Sequence, residues 1–494
     1  MKLWRVLVPL ILAMISGASM LAPQRHCFAQ ETQPDTARQM DRLSEHLNAI
    51  EARLEALETR LNSLQIEKPT KTGPDDQSTV VEERIEDLDQ KLRIIERRRE
   101  LEQEKLAEES KTATKVNAGK DGFSLSSADK DFQLRFNGYL QADSVFFAGD
   151  SSPAVDSFRI GRARPVFQGT IYKYFDFRIM PDFGGGQAVL QDLHLDLTYL
   201  PAAKLRFGKF KSPMGLEVLQ GDTDLTFIYR AFPSILAPGR DVGAQVYGDV
   251  HGGVVSYAVA ILNGVQDGTS SDVDTNDGKD LVARVFVQPF KDSSQGLLKG
   301  LGIGLGGSSG NQHGTLASYK TSGQAVFFTF ASGVTSDGYR YRYSPQAYYY
   351  AGQLGILAEY VASSQEVRKS DNLLRIQNHA WQVASSYAIG GKPSYRAVSP
   401  KRTFNPKQKE WGALEFAGRY SRMTLDEDAF SGGFADLNKS AKEAHEFTLG
   451  VNWYMAKMIK FVVNYEQISF KGGSAQQGNR PTEHAILSRF QIGF

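Results

Sequence analysis

Cysteine is almost missing from this chain of 494 residues: there is one, Cys27. Long hydrophobic runs are missing too. The longest spans residues 6–15, about half of the roughly 20 apolar residues that a crossing helix needs. A polytopic helical membrane protein is thereby excluded. Net charge is small, +1 from 57 basic and 56 acidic residues, and gives no sign of a nucleic-acid partner. What is present in quantity is glycine, at 46 residues, together with Phe, Tyr and Trp, which make up 11% of the chain and argue against wholesale disorder. Two classes fit these totals. One is a soluble enzyme. The other is a transmembrane β-barrel, whose alternating strands keep the mean hydropathy low, here −0.35.

The N-terminus supplies an address. Lys2 and Arg5 precede the apolar stretch, small residues follow, and Cys27-Phe28-Ala29 offers a small-x-small cleavage site before Gln30. Residues 1–29 therefore read as a secretory signal peptide. Cleavage removes the cysteine with the leader, so the mature chain has neither disulfides nor thiol chemistry.

Residues 30–117 contain no Phe, Tyr or Trp, and carry 15 Lys/Arg against 21 Asp/Glu, a net charge of −6. Met40, Leu43, Leu47, Ile50, Leu54, Leu57, Leu61 and Leu64 recur with alternating spacings of 3 and 4. That is a heptad repeat, the pattern of a coiled coil. Lys68-Pro69 and Gly73-Pro74 break it. A second charged helix near residues 80–109 keeps the register through Ile85, Leu88, Leu92 and Ile95, then loses it at Arg99 and Glu102.

From Phe123 the period changes to two. Leu193, Leu195, Leu197 and Tyr199 share one face of a strand, and Asp192, His194, Asp196 and Thr198 the other. Leu134, Phe136 and Leu140 alternate with Arg135, Asn137 and Gln141, and Phe447, Leu449 and Val451 alternate with Thr448, Gly450 and Asn452. We count about 16 such strands, which predicts an all-β fold, a transmembrane antiparallel barrel preceded by the helical coiled coil. Closure is required because an open sheet edge in lipid leaves backbone groups unpaired at several kcal/mol each. Phe494 ends the last alternating strand, as in the assembly signal of bacterial outer-membrane barrels.

With the apolar faces toward lipid, the polar faces line the interior. The alternation places Arg135, Arg162, Arg164, Arg178, Lys204, Arg206, Arg284, Arg340, Arg342, Arg419, Lys460 and Arg489 inward. It places Asp143, Asp176, Asp182, Asp192, Asp196, Glu415 and Glu466 there too. This basic excess predicts a preference for anions. The competing reading is that these arginines only pair with lumen carboxylates. Residues 211–239, with Pro213, Pro233 and Pro238, are long for a barrel connection and are expected to fold inward as a constriction loop bearing Arg230, with Arg240 just after it.

Several segments together resemble the phosphate-selective porin O/P family. They are Phe158-Arg159-Ile160-Gly161-Arg162-Ala163-Arg164, Pro181-Asp182-Phe183-Gly184, Phe207-Gly208-Lys209-Phe210-Lys211, Asp222-Thr223-Asp224-Leu225, Pro238-Gly239-Arg240-Asp241-Val242-Gly243 and Leu449-Gly450-Val451-Asn452-Trp453-Tyr454. The resemblance covers about residues 120–494. It implies a homotrimer of 16-stranded barrels that passes anions, with phosphate or polyphosphate as candidate solutes. It also implies that Arg162 belongs to an arginine ladder and Arg230 is a loop arginine. The chain departs from the family pattern in three places. Gly161 and Tyr139 stand where arginines are expected, and residues 216–227 contain no lysine.

Other motifs carry nothing. Residues 302–307 satisfy G-x-G-x-x-G and 306–310 satisfy G-x-S-x-G, yet neither lies between a buried parallel strand and a helix. Asp272, Asp274 and Asn276 resemble a calcium loop, but Gly278 is one place late and Ala283 replaces the bidentate glutamate. The mature histidines lack metal-ligand spacing. No catalytic residue, metal or cofactor is expected, and the chain is not read as an enzyme. The domains read as a signal peptide (1–29), a periplasmic coiled-coil stalk and linker (30–117) and an outer-membrane β-barrel porin (118–494). Small anions would pass a lumen lined by Arg162, Arg164, Arg178, Arg206, Arg230, Arg240 and Arg284. The partners expected are outer-membrane lipid, two further copies in a trimer, and a cell-wall or periplasmic ligand for the stalk. The alternative function is an envelope tether, with the barrel as anchor and the coiled coil reaching the cell wall.

Overall fold

The computed structural model describes Thr59 and residues 76–119, 122–148, 155–293 and 296–494. The expected leader and the heptad core from Met40 to Leu64 lie outside the described residues. The chain divides into two units, Met1–Leu101 and Glu102–Phe494, a boundary that falls inside the helix α1 (Asp76–Thr112). Strong helix formers and i,i+4 ion pairs support α1, with Lys91 2.6 Å from Asp87 and Arg93 2.9 Å from Asp89. Its residues Ile85, Leu88, Leu92 and Ile95, spaced 3, 4 and 3, are all exposed. No helix among the described residues is long and apolar enough to cross a membrane.

The period-two segments form a closed antiparallel barrel of 16 strands. They are β1 (Gln133–Phe147), β2 (Ser157–Ile171), β3 (Phe175–Asp182), β4 (Val189–Leu197), β5 (Lys204–Lys211), β6 (Arg240–Val250), β7 (Val255–Leu262) and β8 (Asp280–Val287). The second half comprises β9 (Leu301–Gly314), β10 (Val334–Ala351), β11 (Leu354–Lys369), β12 (Asn372–Ile389), β13 (Ala413–Thr424), β14 (Ala441–Ala456), β15 (Ile459–Ser474) and β16 (Glu483–Gly493). Each strand pairs with the next, and β16 closes on β1 from Ala485↔Phe147 to Gly493↔Tyr139. The start of β1 lies beyond that seam. It pairs instead with the short strand Gly122–Ser126, which is hairpinned to Lys115–Gly119.

Side-chain alternation matches the expectation. Leu193, Leu195, Leu140, Phe447 and Leu449 face outward and are exposed, as a lipid-facing belt must be. Gln141, Asp143, Lys460, Asn464 and Glu466 face inward and are buried. The two walls differ in height. Strands β3 to β8 have 8 to 11 residues, whereas β10, β11, β12, β14 and β15 have 16 to 18. Polar inner faces are the expectation, and the departure is greatest on the long wall, although Phe210, Ala260, Leu262 and Val282 of β5, β7 and β8 join the same cluster. Val361, Ile376, Ala380, Met423, Ala444, Ile468 and Phe470 point inward and form one apolar cluster. Their partners are Met214, Phe232 and Leu236 from residues 212–239, and Tyr319, Phe327 and Phe328 from residues 315–333. The loops supply the apolar surface that makes an apolar inner wall stable.

Candidate functional site

Three prolines and the Gly221 turn keep residues 212–239 from continuing β5, leaving only the short helices α2 (Leu216–Leu219) and α3 (Pro233–Leu236). The loop crosses the interior and is anchored on the far wall by the inward polar side chains. Glu359 on β11 accepts from the N–H groups of Leu216 (2.5 Å) and Glu217 (3.1 Å). Lys460 donates to the Leu225 carbonyl at 2.7 Å, Asn452 to that of Thr226 at 2.9 Å and Arg489 to that of Ile228 at 3.0 Å. Asn464 accepts from Ile228 N–H at 2.9 Å. Buried backbone groups need such partners, so several inward residues serve as anchors of the loop.

The loop presents Asp222 to β1, β2 and β6. Its Oδ1 lies 2.8 Å from Arg230 and 3.6 Å from Arg162. Its Oδ2 accepts from Arg164 and from the Tyr139 hydroxyl, the latter at 3.2 Å, and lies 4.0 Å from Arg240. Burial raises the pKa of this carboxyl. The charges of Arg162, Arg230, Lys211 and Arg164 outweigh that, holding it well below the ordinary range. Asp222 is therefore ionised at neutral pH.

Next to Asp222 lies a cavity of about 850 Å³. Seven basic residues line it (Arg135, Arg178, Arg206, Lys211, Arg240, Arg284 and Arg396), against five acidic ones (Asp176, Asp192, Asp196, Asp222 and Asp249), a surplus of two positive charges. Among the seven sequence-predicted arginines, Arg178, Arg206, Arg240 and Arg284 line this cavity, and Arg162, Arg164 and Arg230 stand at Asp222. Six of the seven have a carboxylate partner. Arg164 also bonds Asp182 at 2.6 Å, Arg178 and Arg240 share Asp192 at 3.1 and 2.7 Å, and Arg206 holds Asp196 through two bonds of 2.8 and 2.7 Å. Arg284 is the exception: its Nε donates to Gln346 at 3.0 Å and its guanidinium lies 4.6 Å from the Phe286 ring centre. Among the described residues, Arg135, Lys211, Arg284 and Arg396 are the lining cations with no carboxylate within 4 Å.

The inward residues of the long wall stand elsewhere. Arg342 bonds Asp267 (2.7 Å) and Asp280 (3.2 Å), Arg419 bonds Glu446 (2.5 Å), and Arg489 holds Asp143. All are buried away from the cavity. Sequence reasoning missed Asp222 as the hub of the arginines, although its motif was in view. It also missed Arg396, carried by the connection 390–412, which reaches inward so that Tyr395 donates to the Leu216 carbonyl at 2.5 Å. Gly161 and Tyr139, the two departures noted above, both have structural roles. Gly161 is the bulge residue of β2 opposite Gln141 and Ala142, where a Cβ would come within 2.3 Å of Asp143 Oδ2. Tyr139 donates to Asp222 and accepts from Arg164 at 2.9 Å.

Known proteins resemble this chain. Porin O of Pseudomonas aeruginosa is 24% identical over 388 residues, covering 70% of this chain and 85% of that one. Solved structures similar to this one include the outer membrane channel DcaP of Acinetobacter baumannii, with a TM-score of 0.49 and 12% identity over 74% of this chain and 97% of that one. Another is OmpT, an outer membrane protein of Vibrio cholerae, with a TM-score of 0.48 and 12% identity over 74% and 98%. The family model for phosphate-selective porin O and P matches residues 132–494, the whole barrel, and the chain belongs to that family.

Proposed function

We propose that this outer-membrane porin conducts small anionic solutes passively, along the wall formed by β1 to β8. The observation that carries the reading is the cavity's surplus of basic over acidic lining residues together with Arg135, Arg284 and Arg396, lining arginines with no carboxylate partner among the described residues. Such cations replace part of an anion's hydration shell without first having to break an ion pair. Phosphate is a candidate solute, in keeping with the family's description. We further propose a homotrimer, and a stalk that projects into the periplasm as a coiled coil. The exposed stripe Ile85, Leu88, Leu92 and Ile95 supports the stalk, and with it a second role as an envelope tether. Planar-bilayer recordings of the purified protein test the main reading. Anion-selective zero-current potentials in a salt gradient are expected; cation selectivity or absence of conductance overturns it. For the tether, removal of residues 30–117 should release the protein from sedimenting cell wall while leaving conductance intact.

A further inference from the structure

The environment of Asp222 is that of a bound oxyanion. Its two oxygens receive Arg230, Arg164 and Tyr139 within hydrogen-bonding distance, with Arg162 at 3.6 Å and Arg240 at 4.0 Å. Guanidinium forks match carboxylate and phosphate geometry equally well. Four arginines around one carboxylate are more than an ion pair requires, and removal of that carboxylate would leave a concave, strongly basic site. The site is reachable, since Asp222, Tyr139, Lys211 and Arg240 all border the cavity. The arginines are also fixed independently of Asp222. Arg164 is held by Asp182, Arg240 by Asp192, Arg162 by Gln141 at 2.7 Å, and Arg230 by the carbonyls of Glu217 (2.9 Å) and Gln220 (3.1 Å). The loop is fixed independently as well, through Glu359, Asn452, Lys460 and Asn464.

We propose that Asp222 is a tethered anion that fills an oxyanion site built by Arg162, Arg164, Arg230 and Arg240, and that its carboxylate sets the specificity of the channel by excluding inorganic phosphate from that site. Being part of the chain, it competes at an effective concentration of about millimolar or more, so free phosphate at similar concentrations does not displace it. Passing anions meet a screened cluster, and the pore discriminates among them weakly.

The test compares the full-length wild type with Asp222→Asn, which keeps the side chain's size and removes its charge. Equilibrium binding of radiolabelled inorganic phosphate to the detergent-solubilised proteins should be at least about tenfold tighter in the variant, and phosphate should saturably reduce its chloride current. Equal phosphate binding by the two proteins overturns the proposal. So does saturable phosphate block of the wild type, a measurement that stands even where the variant fails to fold. The proposal rests on the anion-porin reading only for its current measurement. A wild type without conductance would sink that reading, while the binding comparison would still decide the role of Asp222.

Discussion

Arg284→Gln isolates the contribution of one lumen charge, because Arg284, alone among the seven arginines assigned to the anion path, has no carboxylate partner among the described residues. A sphere of 850 Å³ has a radius of about 6 Å, so a unit charge on the wall acts on an ion at the centre with about 0.7 kcal/mol in water. At 0.1 M salt the Debye length is about 10 Å, which reduces this to about 0.4 kcal/mol. Neutralisation raises the energy of an anion and lowers that of a cation by the same amount. The anion-to-cation permeability ratio should therefore fall by a factor of about 4 at 0.1 M salt, approaching about 10 when salt is dilute. Zero-current potentials across a planar bilayer, measured in a potassium chloride gradient at two ionic strengths, give this ratio directly. Arg284→Lys keeps the charge and should leave the ratio unchanged. A normal conductance with an unaltered ratio in Arg284→Gln would refute the reasoning, because it would place Arg284 off the ion path.

Buried ion pairs, loop anchors and close contacts yield predictions of stability. Asp143→Ala removes both carboxylate acceptors of the buried Arg489, which bonds them at 2.7 and 2.7 Å across the β16–β1 seam, and should cost about 3–5 kcal/mol, read as a lower urea midpoint in detergent micelles. Glu359→Ala leaves the N–H groups of Leu216 and Glu217 without their acceptor, at about 1–3 kcal/mol each. The loop should loosen, so single-channel conductance should rise and its open-state noise with it; unchanged traces would show that the remaining anchors suffice. Gly161→Ala drives a Cβ to 2.3 Å from Asp143 Oδ2 and should lower the refolding yield.

The barrel was legible in the sequence because lipid enforces a strict rule on one face of each strand. Leu193 and Leu195 must be apolar wherever the strand sits, whereas a soluble sheet tolerates exceptions. The inward loop was legible through Pro213, Pro233 and Pro238, which no strand interior would hold. The pairing of the arginines was not, since it depends on which strands become neighbours. Arg178 and Asp192 meet because β3 and β4 pair, with Met180 opposite Asp192, and Arg240 reaches the same carboxylate from β6. Nor were the apolar inner positions. Val361 and Ala380 break the alternation rule only because loops 212–239 and 315–333 cover them, and no local pattern at β11 or β12 reports a loop that lies elsewhere in the chain.

The two walls divide the work of the barrel. Anchoring the loops on β9 to β16 fills that half of the interior with apolar side chains and buried ion pairs, and an ion there would lose its hydration without compensation. What remains is the cavity against β1 to β8, where β3 to β8 are short and most lining residues are polar. A charge on the long wall, such as Arg342 or Arg419, is neutralised within hydrogen-bonding distance and fully buried, so its loss should alter folding before it alters selectivity. A charge on the cavity side, such as Arg284, is partly exposed and free of a carboxylate, so its loss should alter selectivity before it alters folding. Counting all inward arginines together, as the alternation alone does, overstates the field an anion meets. The effective number is the surplus at the cavity, two positive charges, and Asp222 is the residue best placed to change it.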